Sequence, residues 1–365
     1  METIDTAHGA LPLPAFLPDA TRGTVKTLAP EDVAACGVRA VMANAFHLSG
    51  APGAEAIASV GGLHGFMGWD GPIFTDSGGF QVYSLLTNDA KLGSIIASGF
   101  IYRAARGQAK RRLTPEKAIQ KQWQLGADVL FCLDHCTHPS MPAEAQRESV
   151  AHTLAWAAAC KAEFDRRMQS RAANRKLFAI VQGGPDAALR RHCAEGLQEL
   201  GFDGYGFGGW PVDDTGGLVE AVHQVAELTP HNMPLHGLGI GKPEHVAAAV
   251  RWGYHSFDCV LPTRDARHKR LYIFTDMQQI VSGADFYTTV YIDRADFARD
   301  GRPVEEGCDC PACRRYSRAF LHHLFQINDP AGLRLATQHN LRFYQRLVEN
   351  LQTCLGPRQR TSMRS

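Results

Sequence analysis

The chain has 365 residues, a formal net charge of +1 and a sequence pI near 7.7, enough for one large domain with an elaboration or for two ordinary domains. Hydrophobic residues make up 45% and charged residues 21%, proportions typical of a soluble globular protein. No apolar run approaches transmembrane length, and the acidic N-terminus lacks the apolar segment of a signal peptide. The neutral charge balance neither indicates nor excludes a nucleic-acid partner.

The N-terminal part, to about Thr27, is rich in Pro, Gly and Thr and is predicted to be an irregular arm or a hairpin lid. Residues 28–37 contain a proline followed by two acids, Pro30-Glu31-Asp32, which is typical of a helix start. Residues 87–112 are predicted to be the least regular part. The basic residues in that stretch indicate either a solvated face or a basic edge for phosphates.

Apolar runs alternate with helical patterns along most of the chain. The runs are residues 40–46, 72–76, 128–134, 177–182, 202–208, 233–240 and 256–261. The helical patterns are residues 115–125, 143–167, 186–200, 217–228 and 243–252. Strands that alternate with helices predict a parallel sheet. With an eighth strand expected in residues 270–292, we predict an α/β fold of the closed (β/α)8 TIM-barrel type; a doubly wound sheet is the alternative.

Polar residues end several of these runs: Asp76, Asp134, Gln182 and Asp258. Residues at the C-terminal ends of barrel strands form the active site in this fold, so these four side chains should converge. Asp258 is embedded in an apolar run, where burying a lone carboxylate is costly. It is expected either to form an ion pair with an arginine such as Arg264 or Arg267, or to be a nucleophile at the mouth of the barrel.

A metal site is predicted near the C-terminus. Three of the ten cysteines cluster at Cys308, Cys310 and Cys313, and the others are scattered, which is typical of a cytosolic protein with reduced thiols. A closed tetrahedral zinc site needs a fourth ligand, and the spacing leaves three histidines open: His322, His323 and His339. His339 stands just before a predicted helix, residues 341–351. Four protein ligands would make the zinc structural.

Taken together, these motifs resemble the tRNA-guanine transglycosylases, also called queuine tRNA-ribosyltransferases, of the bacterial and eukaryotic type. The likeness extends over about residues 16–351. It is carried by the cysteine cluster with Thr337-Gln338-His339-Asn340, and by Gly61-Gly62-Leu63-His64, Phe66-Met67-Gly68-Trp69-Asp70, Thr75-Asp76-Ser77-Gly78-Gly79-Phe80-Gln81-Val82, Gln182-Gly183, Gly208-Gly209, Gly241-Lys242-Pro243 and Phe257-Asp258-Cys259-Val260-Leu261-Pro262-Thr263-Arg264.

The resemblance implies a fold and a metal site. The barrel would take up most of residues 1–295, a zinc-binding subdomain residues 296–340, and a helix returning to the barrel residues 341–365. His339 would be the fourth ligand of one structural Zn2+, beside Cys308, Cys310 and Cys313. No organic cofactor is implied. A cytoplasmic homodimer is expected from the likeness.

The resemblance also implies a reaction, in which guanine at the wobble position of tRNAs with a G-U-N anticodon (Asp, Asn, His and Tyr) is exchanged for a 7-deazaguanine, either prequeuosine base or queuine. Asp258 would be the nucleophile that traps the ribose as a covalent ribosyl-aspartate, and Asp76 the general acid and base. The base would be bound by Asp76, Ser77, Gly78, Gly79, Phe80, Asp134, Gln182, Gly209, Trp210 and Leu238. The anticodon loop would be held by Gly239, Ile240, Gly241, Lys242, Pro243, Glu244, His245, Thr263, Arg264, Asp265, Ala266 and Arg267.

Two features bear on which base is inserted. Trp210 and Pro211 replace the leucine and small residue that commonly follow the Gly-Gly pair, and Pro211 has no N–H to offer. This favours a 7-substituent that donates to the carbonyl of Trp210, as in the smaller prequeuosine base. Phe80, typical of eukaryotic members, favours queuine. Its ring is expected either to stack on the base or to pack in the core. A homologue acting on DNA and a non-catalytic tRNA-binding partner subunit are the alternative functions.

Overall fold

The computed structural model describes residues 1–170, 174–283 and 285–354. Its strands, in chain order, are β1 Thr3–Thr6, β2 Gly9–Pro12, β3 Ala15–Pro18, β4 Val41–Asn44, β5 Ile73–Asp76, β6 Gly93–Ile96, β7 Gly99–Tyr102, β8 Arg111–Leu113, β9 Val129–Phe131, β10 Lys176–Val181, β11 Gly204–Phe207, β12 Leu235–Leu238, β13 Ser256–Cys259, β14 Arg270–Phe274 and β15 Tyr287–Tyr291.

The α-helices are α1 Pro30–Ala35, α2 Ala45–Gly50, α3 Ala54–Ser59, α4 Gly62–Met67, α5 Gly79–Asn88, α6 Pro115–Leu125, α7 Ala143–Ser170, α8 Ala187–Leu200, α9 Glu220–Leu228, α10 Pro243–Trp252, α11 Leu261–Arg267, α12 Pro311–Arg315, α13 Arg318–Gln326 and α14 Pro330–Cys354. Short 3-10 turns lie at Ala90–Leu92, Met277–Ile280 and Ala295–Phe297. No helix among the described residues is long and apolar enough to cross a membrane.

Eight parallel strands form the barrel, in the order β3, β13, β12, β11, β10, β9, β5, β4. Each strand neighbours the next barrel strand in the sequence, and helices connect most of them, as expected for a (β/α)8 barrel. The ring closes between β3 and β4, where Asp19 and Met42 form a parallel bridge and the Ala20 N–H donates to the Met42 carbonyl oxygen at 2.7 Å. The predicted fold class is therefore confirmed.

The predicted position of the remaining barrel strand was wrong. Residues 270–292 form the antiparallel hairpin of β14 and β15, outside the barrel. The missing strand is β3, inside the stretch predicted to be an arm, and it pairs in parallel with β13 through Leu17 opposite Asp258. Because β3 is short and is flanked by prolines, only its pairing with distant strands makes it a strand.

The N-terminal hairpin of β1 and β2 covers the floor of the barrel, at the N-terminal ends of the strands. Its apolar side chains Ile4 and Leu11 pack in one cluster with Phe74, Phe131 and Phe178 from the barrel interior. The hairpin therefore plugs the end of the barrel opposite the polar strand ends, which lie at its mouth.

Two other local predictions were wrong. Residues 87–112 contain most of a small antiparallel sheet of β6, β7 and β8 and are more regular than expected. The last helix, α14, begins at Pro330, so His339 lies within it and not before it. The helix start at Pro30 and the helix Pro115–Leu125 agree with the prediction.

A second hydrophobic core lies beyond the barrel. It joins Leu271 and Ile292 of the β14–β15 hairpin to Cys308, Cys310 and Leu321. Helix α14 connects this core to the barrel, since Gln345 donates to the carbonyl oxygen of Phe16 at 3.1 Å and Tyr344 to that of Gly241 at 2.6 Å. The predicted C-terminal segment, residues 341–365, is described only to residue 354.

Candidate active site

The polar strand ends do converge. They line a cavity of about 380 Å³ at the C-terminal mouth of the barrel. Every residue of the predicted base-binding set lines it, together with Asp258: Asp76, Ser77, Gly78, Gly79, Phe80, Asp134, Gln182, Gly209, Trp210 and Leu238. Of the predicted RNA-binding set, Gly239 lines it as well.

Asp76 is the last residue of β5 and is held at the cavity wall by the neighbouring strand end. The backbone N–H of Ala45 donates to its Oδ1 at 2.9 Å, and the side-chain amide of Asn44 donates to its Oδ2. Burial, helped by the negative charges of Asp258 and Asp19, raises the pKa of Asp76 to about 7, against the backbone hydrogen bonds that lower it. A carboxyl with such a pKa can both give and take a proton near neutral pH.

Gly78 allows α5 to begin immediately behind Asp76. Its φ of 78° lies in the left-handed region, and a Cβ there would stand 2.9 Å from the Cβ of Phe46. The turn from β5 into α5 therefore needs glycine at this position, which explains part of the motif that follows Asp76.

Asp258 faces the same cavity from β13, and its side chain is 21% exposed. Its Oδ1 is 3.0 Å from Nε2 of His236 and 3.3 Å from the backbone N of Gly239, which donates to it. The arginines suggested as partners are engaged elsewhere: Arg264 pairs with Asp265 at 3.5 Å, and Arg267 donates to the Thr263 carbonyl oxygen at 2.7 Å. Within the described residues, the ion-pair interpretation of Asp258 is not supported.

Asp134 and Gln182 form a hydrogen-bonded pair on the cavity wall, after the C-terminal ends of β9 and β10. The amide nitrogen of Gln182 donates to Asp134 Oδ2 at 2.7 Å. Burial raises the pKa of Asp134 to about 6, although this hydrogen bond lowers it. The remaining carboxylate oxygen can accept hydrogen bonds from the N–H groups on one edge of a purine base.

An aromatic wall closes one side of the cavity. The Phe80 side chain is 50% exposed, so its interpretation as a core residue was wrong. Its ring lies edge-on to Trp210 with centroids 5.7 Å apart, and Trp210 also contacts the rings of His138 at 5.0 Å and Tyr83 at 6.1 Å. Gly209, at φ 110°, makes the turn that brings Trp210 to this wall.

Many side chains of the predicted RNA-binding set are buried or engaged within the protein. Ile240, Thr263 and Ala266 are buried, and Lys242 donates to the Gly216 carbonyl oxygen at 2.7 Å. Arg264 is the most accessible cation of the set, with a side chain that is 51% exposed. The set follows β12 and β13 in the chain, so it begins at the end of the barrel where the cavity opens.

Three residues that sequence reasoning did not select also belong to the site: Asp19, Asn44 and His236. Asp19 and Asn44 line the cavity at the ends of β3 and β4. His236, on β12, forms a hydrogen bond with Asp258 from inside the barrel. Asn44 could have been found because it ends an apolar run, as Asp76 does. Asp19 was missed with its strand, and a histidine inside the apolar run 233–240 gave no signal of its own.

The predicted metal ligands lie together. Nδ1 of His339 is 3.8, 3.8 and 3.3 Å from the sulfurs of Cys308, Cys310 and Cys313. Tetrahedral zinc with ordinary bond lengths requires nitrogen–sulfur separations of about 3.5 Å, so the four residues fit such an ion. Nε2 of His339 donates to the carbonyl oxygen of Tyr272 at 2.6 Å, which orients Nδ1 toward the sulfurs.

A second group of potential metal ligands, which we call the floor clamp, consists of His8, His64 and Asp128 at the floor of the barrel. The two imidazole rings are stacked, with centroids 3.4 Å apart and 14° between planes, so their lone pairs do not point at one ion. Asp128 instead binds His8 Nδ1 at 2.7 Å and His64 Nε2 at 3.2 Å, and accepts from the Ile73 N–H at 2.9 Å. The floor clamp is therefore a hydrogen-bonded link between the N-terminal hairpin and the barrel.

Comparison with known proteins gives one family. A family model described as queuine tRNA-ribosyltransferase matches residues 1–356. Similar proteins named queuine tRNA-ribosyltransferase include those of Syntrophobacter fumaroxidans, 40% identical over 94% of this chain and 86% of that protein, and Symbiobacterium thermophilum, 40% identical over 97% and 83%. The protein of that name from Idiomarina loihiensis is 42% identical over 95% of this chain and 88% of its own length. The chain therefore belongs to the queuine tRNA-ribosyltransferase family.

Proposed function

We propose that this protein exchanges the wobble guanine of G-U-N anticodon tRNAs for a 7-deazaguanine through a ribosyl-Asp258 intermediate. The observation that carries the proposal is that Asp258 and Asp76 line one cavity and that Asp76 has a pKa of about 7. Cleavage of the N-glycosidic bond builds positive charge on the ribose, which a carboxylate can trap covalently. Guanine must leave its stack to reach a cavity of this kind.

In this mechanism Asp258 attacks C1′ of the ribose while Asp76 protonates the departing guanine. The incoming base then gives a ring N–H proton to Asp76 and attacks C1′ from the face that guanine left. The ester bond between C1′ and Asp258 breaks and releases the carboxylate, so two displacements restore the original anomer. The hydrogen-bonded pair of Asp134 and Gln182 suits the guanine edge that carries N1–H and the exocyclic amine, because one carboxylate can accept from both donors. Phe80 offers a partly exposed ring on which the base can stack.

The test is exchange of labelled guanine, preloaded at the wobble position of tRNA, against each candidate base. The wild type should lose label and form a protein–RNA adduct, and Asp258→Asn should do neither. Asp214→Asn, on an exposed loop, is the matched control and should behave as wild type. An adduct formed by Asp258→Asn would refute the assignment of Asp258 as the nucleophile. Exchange on the same stem-loop made of DNA would support the alternative substrate.

For the inserted base, we infer prequeuosine base. Pro211 lacks an N–H, and its carbonyl oxygen accepts from Val219 N at 3.0 Å, which leaves the carbonyl of Trp210 to meet a donor such as an aminomethyl group. The rings packed around Trp210 also narrow this side of the cavity. Turnover with prequeuosine base should therefore exceed turnover with its nitrile precursor or with queuine. Comparable turnover with the nitrile would contradict the inference.

We further propose that Cys308, Cys310, Cys313 and His339 hold one structural Zn2+, in a subdomain of residues 296–340 between the barrel and the C-terminal segment. All four ligands come from the protein, so no position is open for catalysis. Metal analysis of purified protein should give one zinc per chain, and none in Cys313→Ser.

A cytoplasmic homodimer is proposed from the family likeness alone. Light scattering tests the oligomeric state, and cell fractionation tests the location.

A further inference from the structure

His236 is a polar residue at an unusual place, inside the apolar barrel beneath the cavity. It is wholly buried, and its ring packs against Phe131 and Phe74 with centroids 5.3 and 5.9 Å apart. A polar ring buried in this way must satisfy both nitrogens or lose stability. The residues that satisfy them are Ser256 and Asp258, both on the neighbouring strand β13.

The hydrogen bonds of His236 run along β13 toward the cavity. In the parallel pairing of β12 with β13, His236 stands opposite Ser256. Its Nδ1 is 2.8 Å from the Ser256 hydroxyl oxygen, and its Nε2 is 3.0 Å from Asp258 Oδ1. An ionised carboxylate can only accept, so Nε2 carries a hydrogen, and in the neutral ring Nδ1 accepts from the Ser256 hydroxyl.

The carboxylate of Asp258 is therefore held asymmetrically. Both donors that reach it, His236 Nε2 and the Gly239 N–H, bind Oδ1. Among the described residues, none donates to Oδ2, so the lone pairs of this oxygen carry no protein hydrogen bond, in a side chain that lines the cavity. A nucleophilic carboxylate needs one oxygen fixed and the other free, because small errors in position reduce the rate strongly.

We propose that His236 is a positioning residue that orients Asp258 for attack, as a neutral ring whose tautomer is set by Ser256. The proposal rests on the proposed function, in which Asp258 is the nucleophile. In the step concerned, an Oδ2 lone pair forms the bond to C1′, the C1′–N9 bond breaks, and its electron pair leaves with guanine, which takes the proton of Asp76. His236 keeps its own proton throughout and holds Oδ1 while that oxygen becomes the ester carbonyl.

Two substitutions separate orientation from packing. His236→Phe keeps an aromatic ring beside Phe74 and Phe131 but has no donor, and single-turnover adduct formation should slow about 100-fold, with KM for tRNA within about threefold of wild type. His236→Gln restores an N–H toward Asp258 and should recover to within about tenfold of wild type. His192→Gln, on the exposed face of α8, is the control and should be unchanged.

A third variant and a spectrum test the tautomer. Ser256→Ala leaves Asp258 and the ring in place and should form the adduct more slowly than wild type, though faster than His236→Phe. The comparison with wild type keeps the proposal testable if the phenylalanine variant does not fold. In histidine labelled with nitrogen-15, the signals lost in His236→Gln should be those of a neutral ring protonated at Nε2.

Some results would overturn the proposal. Adduct formation at the wild-type rate in His236→Phe, equal slowing in the glutamine and phenylalanine variants, or a ring protonated at Nδ1 alone would each do so. If Asp258→Asn still forms the adduct, the proposed function fails instead. An inactive Asp258→Asn beside a fully active His236→Phe would remove the role of His236 and leave the proposed function intact.

Discussion

Replacing Asp76 with asparagine should change how stability depends on pH. The folded protein holds the pKa of Asp76 at about 7, against an ordinary value of 3.8. Because the folded state keeps the proton longer than the unfolded chain does, the carboxyl favours folding below about pH 4, and that contribution is lost as pH rises to about 7. Asparagine does not titrate, so the stability of Asp76→Asn should not show this decrease between about pH 4 and pH 7.

The magnitude follows from the size of the pKa shift. Three units at about 1.4 kcal/mol each give about 4 kcal/mol in total, and solvent screening reduces this free energy because Asp76 lines an open cavity. Between about pH 5 and pH 9, the stability of Asp76→Asn relative to wild type should therefore rise by about 2–3 kcal/mol. A pH-independent loss is added, because the new amide nitrogen faces the amide of Asn44, which now donates to Asp76.

Equilibrium urea unfolding of zinc-loaded protein at several pH values measures the difference directly. The two stability curves should diverge with rising pH, while Asp214→Asn, an exposed change of the same charge, should follow the wild-type curve. Parallel curves for Asp76→Asn and wild type would show that burial does not shift Asp76, and would refute its assignment as an acid that is half protonated near neutral pH.

Three further outcomes follow from the structure. Asp19→Asn removes a negative charge that raises the pKa of Asp76, so that pKa should fall. In a profile of kcat against pH, the decline on the alkaline side, where Asp76 loses the proton that guanine needs, should shift to lower pH by up to about one unit. Removing metal with a chelator, or Cys313→Ser, should unfold the second core before the barrel, seen as early hydrogen exchange in residues 308–326 with little change in the barrel strands. Asp128→Asn should lower the free energy of unfolding by about 1–3 kcal/mol and speed exchange in the N-terminal hairpin, because the floor clamp loses its charged acceptor; unchanged exchange in β1 and β2 would contradict this.

The sequence was informative where local pattern and chemistry coincide. Asp76, Asp134 and Gln182 each end an apolar run, and a closed barrel brings all such ends to one mouth. Their convergence could be predicted without knowing any contact. The three cysteines were equally clear, because their spacing already matches a metal site.

The features that were missed depend on contacts between distant parts of the chain. The strand β3 is four residues long and pairs with β13, whose residues stand more than 200 positions later, so no local signal marks it. Helix α14 contains Gly332 and several residues of low helix propensity, which packing between the barrel and the second core stabilises. The importance of His236 lies in its partner Asp258, which only the register of β12 and β13 reveals.

The position of β3 has a consequence for synthesis of the protein on the ribosome. Its neighbours β4 and β13 come from opposite ends of the barrel sequence, and α14 holds it through Gln345 to Phe16 and Gln352 to Pro14 at 3.1 and 2.8 Å. One edge of the nascent sheet must therefore wait, unpaired, until β13 has emerged, and the contacts from α14 follow later still. Asp258, the proposed nucleophile, lies beside β3 in the sheet, so we expect a translation product that ends before α14 to lack the contacts that hold this edge of the site.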